Sequence, residues 1–302
     1  MKPVEGIIPV LITPFTEKQD VNEPVLRSYV RRYLDAGVHG IFCLGTNGEF
    51  FSLSAEEKKR IVQIAVEEAK GRVPVFAGTG GISTREVVRL TEQMEEIGAD
   101  ALSVITPYFL PFSQKELIAH YKSVAASTSL PILLYHFPAR TGVRLEPGTV
   151  AELAKVPNIV GVKDSSGDFE TILQFIRAGG PDFSVLAGSD SLLLWTLMAG
   201  GRGGVSGSAN VVPDLMTAIY THWKNGELEQ AREAQERLRP LSAVYKKATL
   251  PSVFKEAMNL LGLEAGPCRS PVLPPEPAVL NELRDVLQRY KEWGYIREEI
   301  QG

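Results

Sequence analysis

Eight times in succession, a short apolar run is followed by a turn and then by a segment with helical spacing. No other feature of the chain constrains its fold as much. The apolar runs are Gly6 to Thr13, Val38 to Leu44, Val73 to Ala77, Ala101 to Ile105, Pro131 to Tyr135, Ile159 to Lys163, Phe183 to Ala187 and Gly203 to Ser206. Helical spacing follows them over Asn22 to Ala36, Ser54 to about Lys70, Ser83 to Ile97, Ser113 to about Ala126, Glu146 to Lys155, Asp168 to Ala178, Asp190 to Ala199 and Val211 to Lys224. Ser54-Ala55-Glu56-Glu57 has the form of a capping box, Ser83 reads as a cap, and Gly37 and Gly98 read as helix stops. Strands that alternate with helices predict a parallel sheet, and eight of them fit a closed (β/α)8 TIM barrel. A doubly wound open sheet is the runner-up. It would carry a glycine-rich fingerprint after its first strand, and Thr13-Pro14-Phe15-Thr16 has none.

The barrel is expected to occupy residues 1–225. Residues 226–302 read as a C-terminal helical extension packed on it, with helices over Glu227 to Arg239, Leu250 to Leu261 and Ala278 to Trp293 and a proline-rich interruption from Pro267 to Pro277. At 302 residues and 44% hydrophobic, the chain can bury a large core. A net charge of −4 without a basic run argues against a dedicated nucleic-acid partner. Cys43 and Cys268 are the only cysteines, too few for a disulfide framework or a zinc cluster, and they suit a reducing cytoplasm. Met1 to Gly6 has no apolar signal core, and no run approaches the ~20 residues of a membrane span. The expectation is a soluble cytoplasmic protein with no membrane partner.

In such a barrel, chemistry sits at the carboxyl ends of the strands. Ile159-Val160-Gly161-Val162 reads as a strand buried on both faces, yet it ends in Lys163. A lysine there either snorkels to solvent or points into a water-poor mouth. In the mouth its ammonium is disfavoured, its pKa falls, and the neutral amine becomes a nucleophile toward carbonyls. Tyr135 ends the neighbouring strand and is either a core aromatic or a proton shuttle. The Gly45-Thr46-Asn47-Gly48-Glu49 turn is either an ordinary loop or a row of backbone N–H groups and a hydroxyl suited to a carboxylate. Gly78-Thr79-Gly80-Gly81 lacks the lysine of a phosphate loop and reads as a plain turn. Asp190 is expected to cap its own helix rather than bind a substrate hydroxyl. His136 faces away from Tyr135 by alternation and reads as structural, and Cys43 reads as packing. His39, His120 and His222 show no metal-ligand spacing, so no metal is expected.

Gly45 to Glu49, Tyr135-His136-Phe137-Pro138-Ala139-Arg140-Thr141-Gly142, Gly161-Val162-Lys163-Asp164 and Gly188-Ser189-Asp190 resemble, in order and spacing, the dihydrodipicolinate synthase / N-acetylneuraminate lyase superfamily. The resemblance extends over nearly the whole chain, including Gly266 to Pro271. It implies a homotetrameric barrel without cofactor that forms a Schiff base between Lys163 and pyruvate or another 2-oxo acid. It implies a proton shuttle at Tyr135 with Thr46, a carboxylate site at Thr46 and Asn47, and pocket walls at Gly188 and Val205. Arg140 matches an arginine that, in the synthases, meets the second substrate's carboxylate. Two positions depart from the synthase pattern. Asn47 replaces a second threonine, and Phe109 stands where a tyrosine would reach in from a neighbouring subunit, with Tyr108 beside it as a candidate substitute.

The Gly-x-Asn-Gly-Glu-Phe turn and Lys163-Asp164-Ser165-Ser166-Gly167-Asp168 are similar to 4-hydroxy-2-oxoglutarate aldolases, and segments around Glu49 and Gly80 to keto-deoxy sugar-acid dehydratases. The reading therefore places a hydroxy-keto-acid aldolase first, with dihydrodipicolinate synthase and dehydratase as alternatives. A catalytically silent keto-acid-binding barrel is the rival of another class.

Overall fold

The computed structural model describes residues 4–301; Met1 to Pro3, on which part of the leader reading rests, and Gly302 lie outside the described residues. Eight parallel strands form one sheet. They are β1 (Gly6–Pro9), β2 (Ile41–Cys43), β3 (Val75–Gly78), β4 (Ala101–Ile105), β5 (Ile132–His136), β6 (Ile159–Asp164), β7 (Ser184–Ala187) and β8 (Gly203–Ser206). Each strand pairs with its sequence neighbour from β2 to β8, and β8 pairs with β1. Closure between β1 and β2 is a single parallel bridge, Val10 to Phe42, with the Leu11 N–H on the Phe42 carbonyl at 2.9 Å. The fold is the expected TIM barrel.

The helices are α1 (Glu23–Asp35), α2 (Ala55–Ala69), α3 (Thr84–Ile97), α4 (Gln114–Ala126), the single turn α5 (Pro138–Thr141), α6 (Pro147–Leu153), α7 (Phe169–Gly179), α8 (Leu193–Met198), α9 (Pro213–Lys224), α10 (Leu228–Arg237), α11 (Arg239–Tyr245), α12 (Ser252–Leu260) and α13 (Pro277–Glu292). The capping box at Ser54 and Glu57 forms, and an equivalent one forms at Ser113 and Glu116. Each contributes about 1 kcal/mol by pairing backbone donors that a helix start leaves free. Ser83 holds the cap position of α3 but makes no side-chain cap bond.

Other expectations need correcting. The first strand stops at Pro9 because the chain then passes from β8 to β2: the Val10 N–H bonds Ser206 and the Leu11 N–H bonds Phe42. The helix expected from Asp190 is a 3-10 turn over Asp190–Leu192 followed by α8. Helices α5 and α11 had no counterpart among the expected elements; each carries a proline in its first turn, where its missing N–H is no loss.

Two hydrophobic layers build the core. Ile8, Val10, Phe42, Phe76, Ala101, Leu133, Leu186 and Val205 fill the barrel interior as a small cluster of their own. A much larger cluster lies between the sheet and the helices, and Ala231, Leu241, Val253, Met258 and Leu287 of the C-terminal helices belong to it. Those helices therefore share the barrel's core. Among the described residues no helix is long and apolar enough to cross a membrane.

Candidate active site

Tyr135 and Lys163 are register partners on β5 and β6, one layer above Leu133 and Gly161. Alternation turns both into the barrel mouth, while His136 and Asp164, the next register pair, face outward. Lys163 is 3% exposed, and its Nζ lies 4.0 Å from the Tyr135 ring centroid and 4.7 Å from that of Phe42. Burial pushes the amine down to about 7, with the charge of Asp190 partly opposing. A large share of Lys163 is therefore neutral near pH 7.

The Tyr135 hydroxyl meets Thr46 Oγ1 at 3.2 Å. Burial pushes the phenol up to about 12, against hydrogen bonding from Thr46 and Ser165 and the charge of Arg140. Near neutral pH Tyr135 thus keeps its proton and can donate it. Thr46 opens a short 3-10 turn, Thr46–Gly48, and Asn47 beside it is buried. The Thr13 hydroxyl donates to the Gly48 carbonyl at 2.7 Å and ties this turn to the end of the first strand's chain.

Gly188 follows β7, and its N–H donates to the Asp164 carbonyl at 2.7 Å. A Cβ there would lie 2.0 Å from Ser165 Oγ and 2.9 Å from the Asp164 carbonyl oxygen, so the wall has no room for a side chain. Val205 is buried in the interior layer, opposite Ile8. Arg140, on α5, is exposed; its guanidinium carbon lies 6.0 Å from the Phe137 ring, which stacks on Tyr135 with centroids 6.1 Å apart. A cation at the rim is thereby linked through two rings to the buried pair.

Lys163, Tyr135 and Thr46 come together, with Asn47 next to Thr46 in the turn; Gly188 lies against Asp164 and Ser165, and Val205 in the interior layer opposite Ile8. Tyr108 does not join them. It lines a separate cavity of about 410 Å³ with Lys58, Lys59, Glu86 and Arg89, and burial raises its phenol. Phe109 is 85% exposed at φ 82. Asp190 corrects another expectation. Its Oδ2 accepts the Ser208 N–H at 2.8 Å, from the loop after β8, and it makes no cap bond to its own helix. Burial raises its carboxyl, and hydrogen bonds from Ser208 hold it back.

Phe42 and Phe137 escaped the sequence reading. Phe42 could have been found, because alternation along Val38 to Leu44 turns it inward. His136 is structural: its Nδ1 lies 2.6 Å from Asp164 Oδ1, both residues fully buried, and the Ser166 hydroxyl donates to the other carboxylate oxygen at 2.6 Å.

The arrangement can bind a small carbonyl compound against an amine, a phenol and a turn rich in backbone donors. Residues 3–290 match the dihydrodipicolinate synthetase family. A 4-hydroxy-tetrahydrodipicolinate synthase of Methanopyrus kandleri is 42% identical over 298 residues, 98% of each chain. The crystal structure of dihydrodipicolinate synthase from Aquifex aeolicus superposes with a TM-score of 0.93 at 34% identity, covering 99% of this chain and 100% of that one. YagE, a prophage protein of the dihydrodipicolinic acid synthase family from E. coli K12 whose structure contains pyruvate, gives 0.91 at 35% identity over 95% of this chain and 98% of its own.

Proposed function

This chain belongs to the dihydrodipicolinate synthetase family and is a class I pyruvate-dependent lyase; from that premise we propose that Lys163 forms the Schiff base and that the reaction is condensation of pyruvate with aspartate semialdehyde. The observation that carries the lysine's role is its burial beside Tyr135 with its pKa lowered to about 7. The neutral amine attacks the ketone carbon of pyruvate. Tyr135, held by Thr46 at 3.2 Å, supplies a proton to the departing oxygen, which leaves as water. The iminium acidifies the methyl group, the Tyr135 phenolate left by that donation takes the proton, and the resulting enamine carbon attacks the aldehyde, whose oxygen receives the proton back as the new C–C bond forms. Water then hydrolyses the imine and returns the amine. Thr46 and the backbone around Asn47 receive the pyruvate carboxylate, and Gly188 and Val205 bound the pocket. Arg140 offers the second substrate's carboxylate a fixed fork at the rim.

Synthases at about 40% identity recur among the relatives and support this reading over the aldolase that the sequence placed first. Cleavage of 4-hydroxy-2-oxoglutarate or a 2-keto-3-deoxy sugar acid is the second reading. It is favoured by Asn47 in the turn and by Phe109, whose phenyl ring cannot relay a proton. Borohydride reduction with pyruvate, followed by peptide mapping, tests the shared chemistry; an adduct elsewhere than Lys163 would refute it. Turnover with aspartate semialdehyde, compared with pyruvate release from 4-hydroxy-2-oxoglutarate, then separates the two readings.

A further inference from the structure

Glu49 closes the Thr46–Gly48 turn in the left-handed region, at φ 55 and ψ 35, and is fully buried. That conformation is strained for a residue with a side chain. Its carboxylate is held from more than 200 positions away in the chain. Oε2 accepts the Arg269 backbone N–H at 2.9 Å. Oε1 lies 2.7 Å from Lys255 Nζ, close enough for an ion pair although not aligned as a hydrogen bond. Lys255 is 1% exposed on α12 and donates to the Pro267 carbonyl at 2.8 Å. Its Nζ lies 3.9 Å from the Phe15 ring centroid, and the Arg269 guanidinium carbon lies 4.4 Å from the same centroid. Arg269 also reaches Glu57 and the Ser52 carbonyl, so the segment after α12 is bonded along the whole far side of this turn.

Burying two charges returns little net stability, because desolvation offsets their attraction. Apolar packing would attach α12 to the barrel equally well. What the pair supplies is direction: a fixed carboxylate at the end of the turn that carries Thr46. The residue before Lys255 acts on the same turn. A Cβ on Gly207 would lie 2.6 Å from Phe254 Cζ and 2.8 Å from Asn47 Nδ2, so Phe254 and the Asn47 side chain converge on the glycine after β8. Helix α12 thus meets the turn directly at Glu49, and through Phe254 it flanks the same glycine as Asn47.

We propose that Lys255, acting through Glu49, is a positioning residue that holds Thr46 and Asn47 in place for the carboxylate of the 2-oxo acid. This rests on the reading of Lys163 as the pyruvate imine site. The test uses the full chain with Glu49→Gln, which keeps an acceptor for the Arg269 N–H, and with the double substitution Lys255→Met/Glu49→Gln, which removes both charges and leaves no buried ion unpaired. Borohydride trapping is followed by intact mass over a range of pyruvate concentrations, with melting temperature measured alongside. The expected result is a rise of about tenfold in half-saturating pyruvate, the effect of one lost or misaligned hydrogen bond to the ligand, with trapping at saturation as complete as in the wild type. A pair that merely held the fold would lower the melting temperature and leave half-saturation where it was. Half-saturation within twofold of the wild type in either folded variant would overturn the proposal, and so would failure of both variants to fold. Absence of trapping in the wild type would instead bring down the pyruvate reading, and this inference with it.

Discussion

Lowering the pH from 7 to 5 should slow imine formation at Lys163 roughly 50-fold, whereas raising it from 7 to 9 should only about double it. These factors follow from a side chain 3% exposed whose amine is brought down to about 7. At that value about half the lysines are neutral at pH 7, against roughly four in ten thousand at the ordinary 10.4 or so, a gain on the order of 10³ in nucleophile. Desolvation causes the depression, and Asp190 opposes it, so Asp190→Asn should move the midpoint further down. The assay is rapid-quench trapping with pyruvate and cyanoborohydride across pH 5 to 9, read by intact mass. Circular dichroism at each pH confirms the fold. A rate that keeps climbing tenfold per pH unit through pH 9 would refute the argument, because it would mean that Lys163 titrates like a solvated lysine.

The same displacement has a stability counterpart. Since the folded value lies below the unfolded one, the unfolded chain holds the proton more tightly between about 7 and 10.5, and wild-type stability rises with pH through that window. Lys163→Met should therefore stabilise the protein by up to about 5 kcal/mol at or below pH 7, with the gain shrinking toward pH 10, as measured by urea unfolding at both pH values. Tyr135→Phe should lower turnover by about 10²-fold or more with half-saturating pyruvate little changed; an unaltered turnover number removes the shuttle role. His136→Ala strands the buried Asp164 carboxylate and should cost about 3 kcal/mol in urea unfolding, and a loss below 1 would show that Ser166 alone suffices. Asp168→Ala removes a cap that accepts the Glu170 and Thr171 N–H groups on α7. It should cost about 1 kcal/mol and leave trapping unchanged.

What could be read in advance followed physical rules that act locally. β4 and β8 fell where apolar runs met turn residues, and Lys163 stood out because a cation ended a strand with no polar face. Pairing across long separations left no such trace. Asp190 resembled a helix cap because its neighbours are helical, yet its partner lies 18 positions on, in the loop after the strand of the next βα unit. Lys255 sat inside an amphipathic stretch and gave no sign of Glu49, which is brought to it only when the last helices fold back over the first turns. Helices α5 and α11 went unread for another reason: each is short and opens on a proline, whose fixed φ suits a turn as well as a helix start. The second substrate stayed hidden because Arg140, the group that would meet it, lies exposed on a one-turn helix with few buried neighbours to define its geometry.

The neighbouring register pairs of β5 and β6 amount to an error check on folding. Tyr135 and Lys163 face inward, and His136 and Asp164 face outward from the next rung. A slip of one residue in β6 would turn Asp164 into the mouth and Lys163 into the apolar layer under α7, with no partner there for its charge. Misthreaded barrels would thus be both unstable and inactive, and the fraction of chains that react with pyruvate would count the fraction correctly assembled.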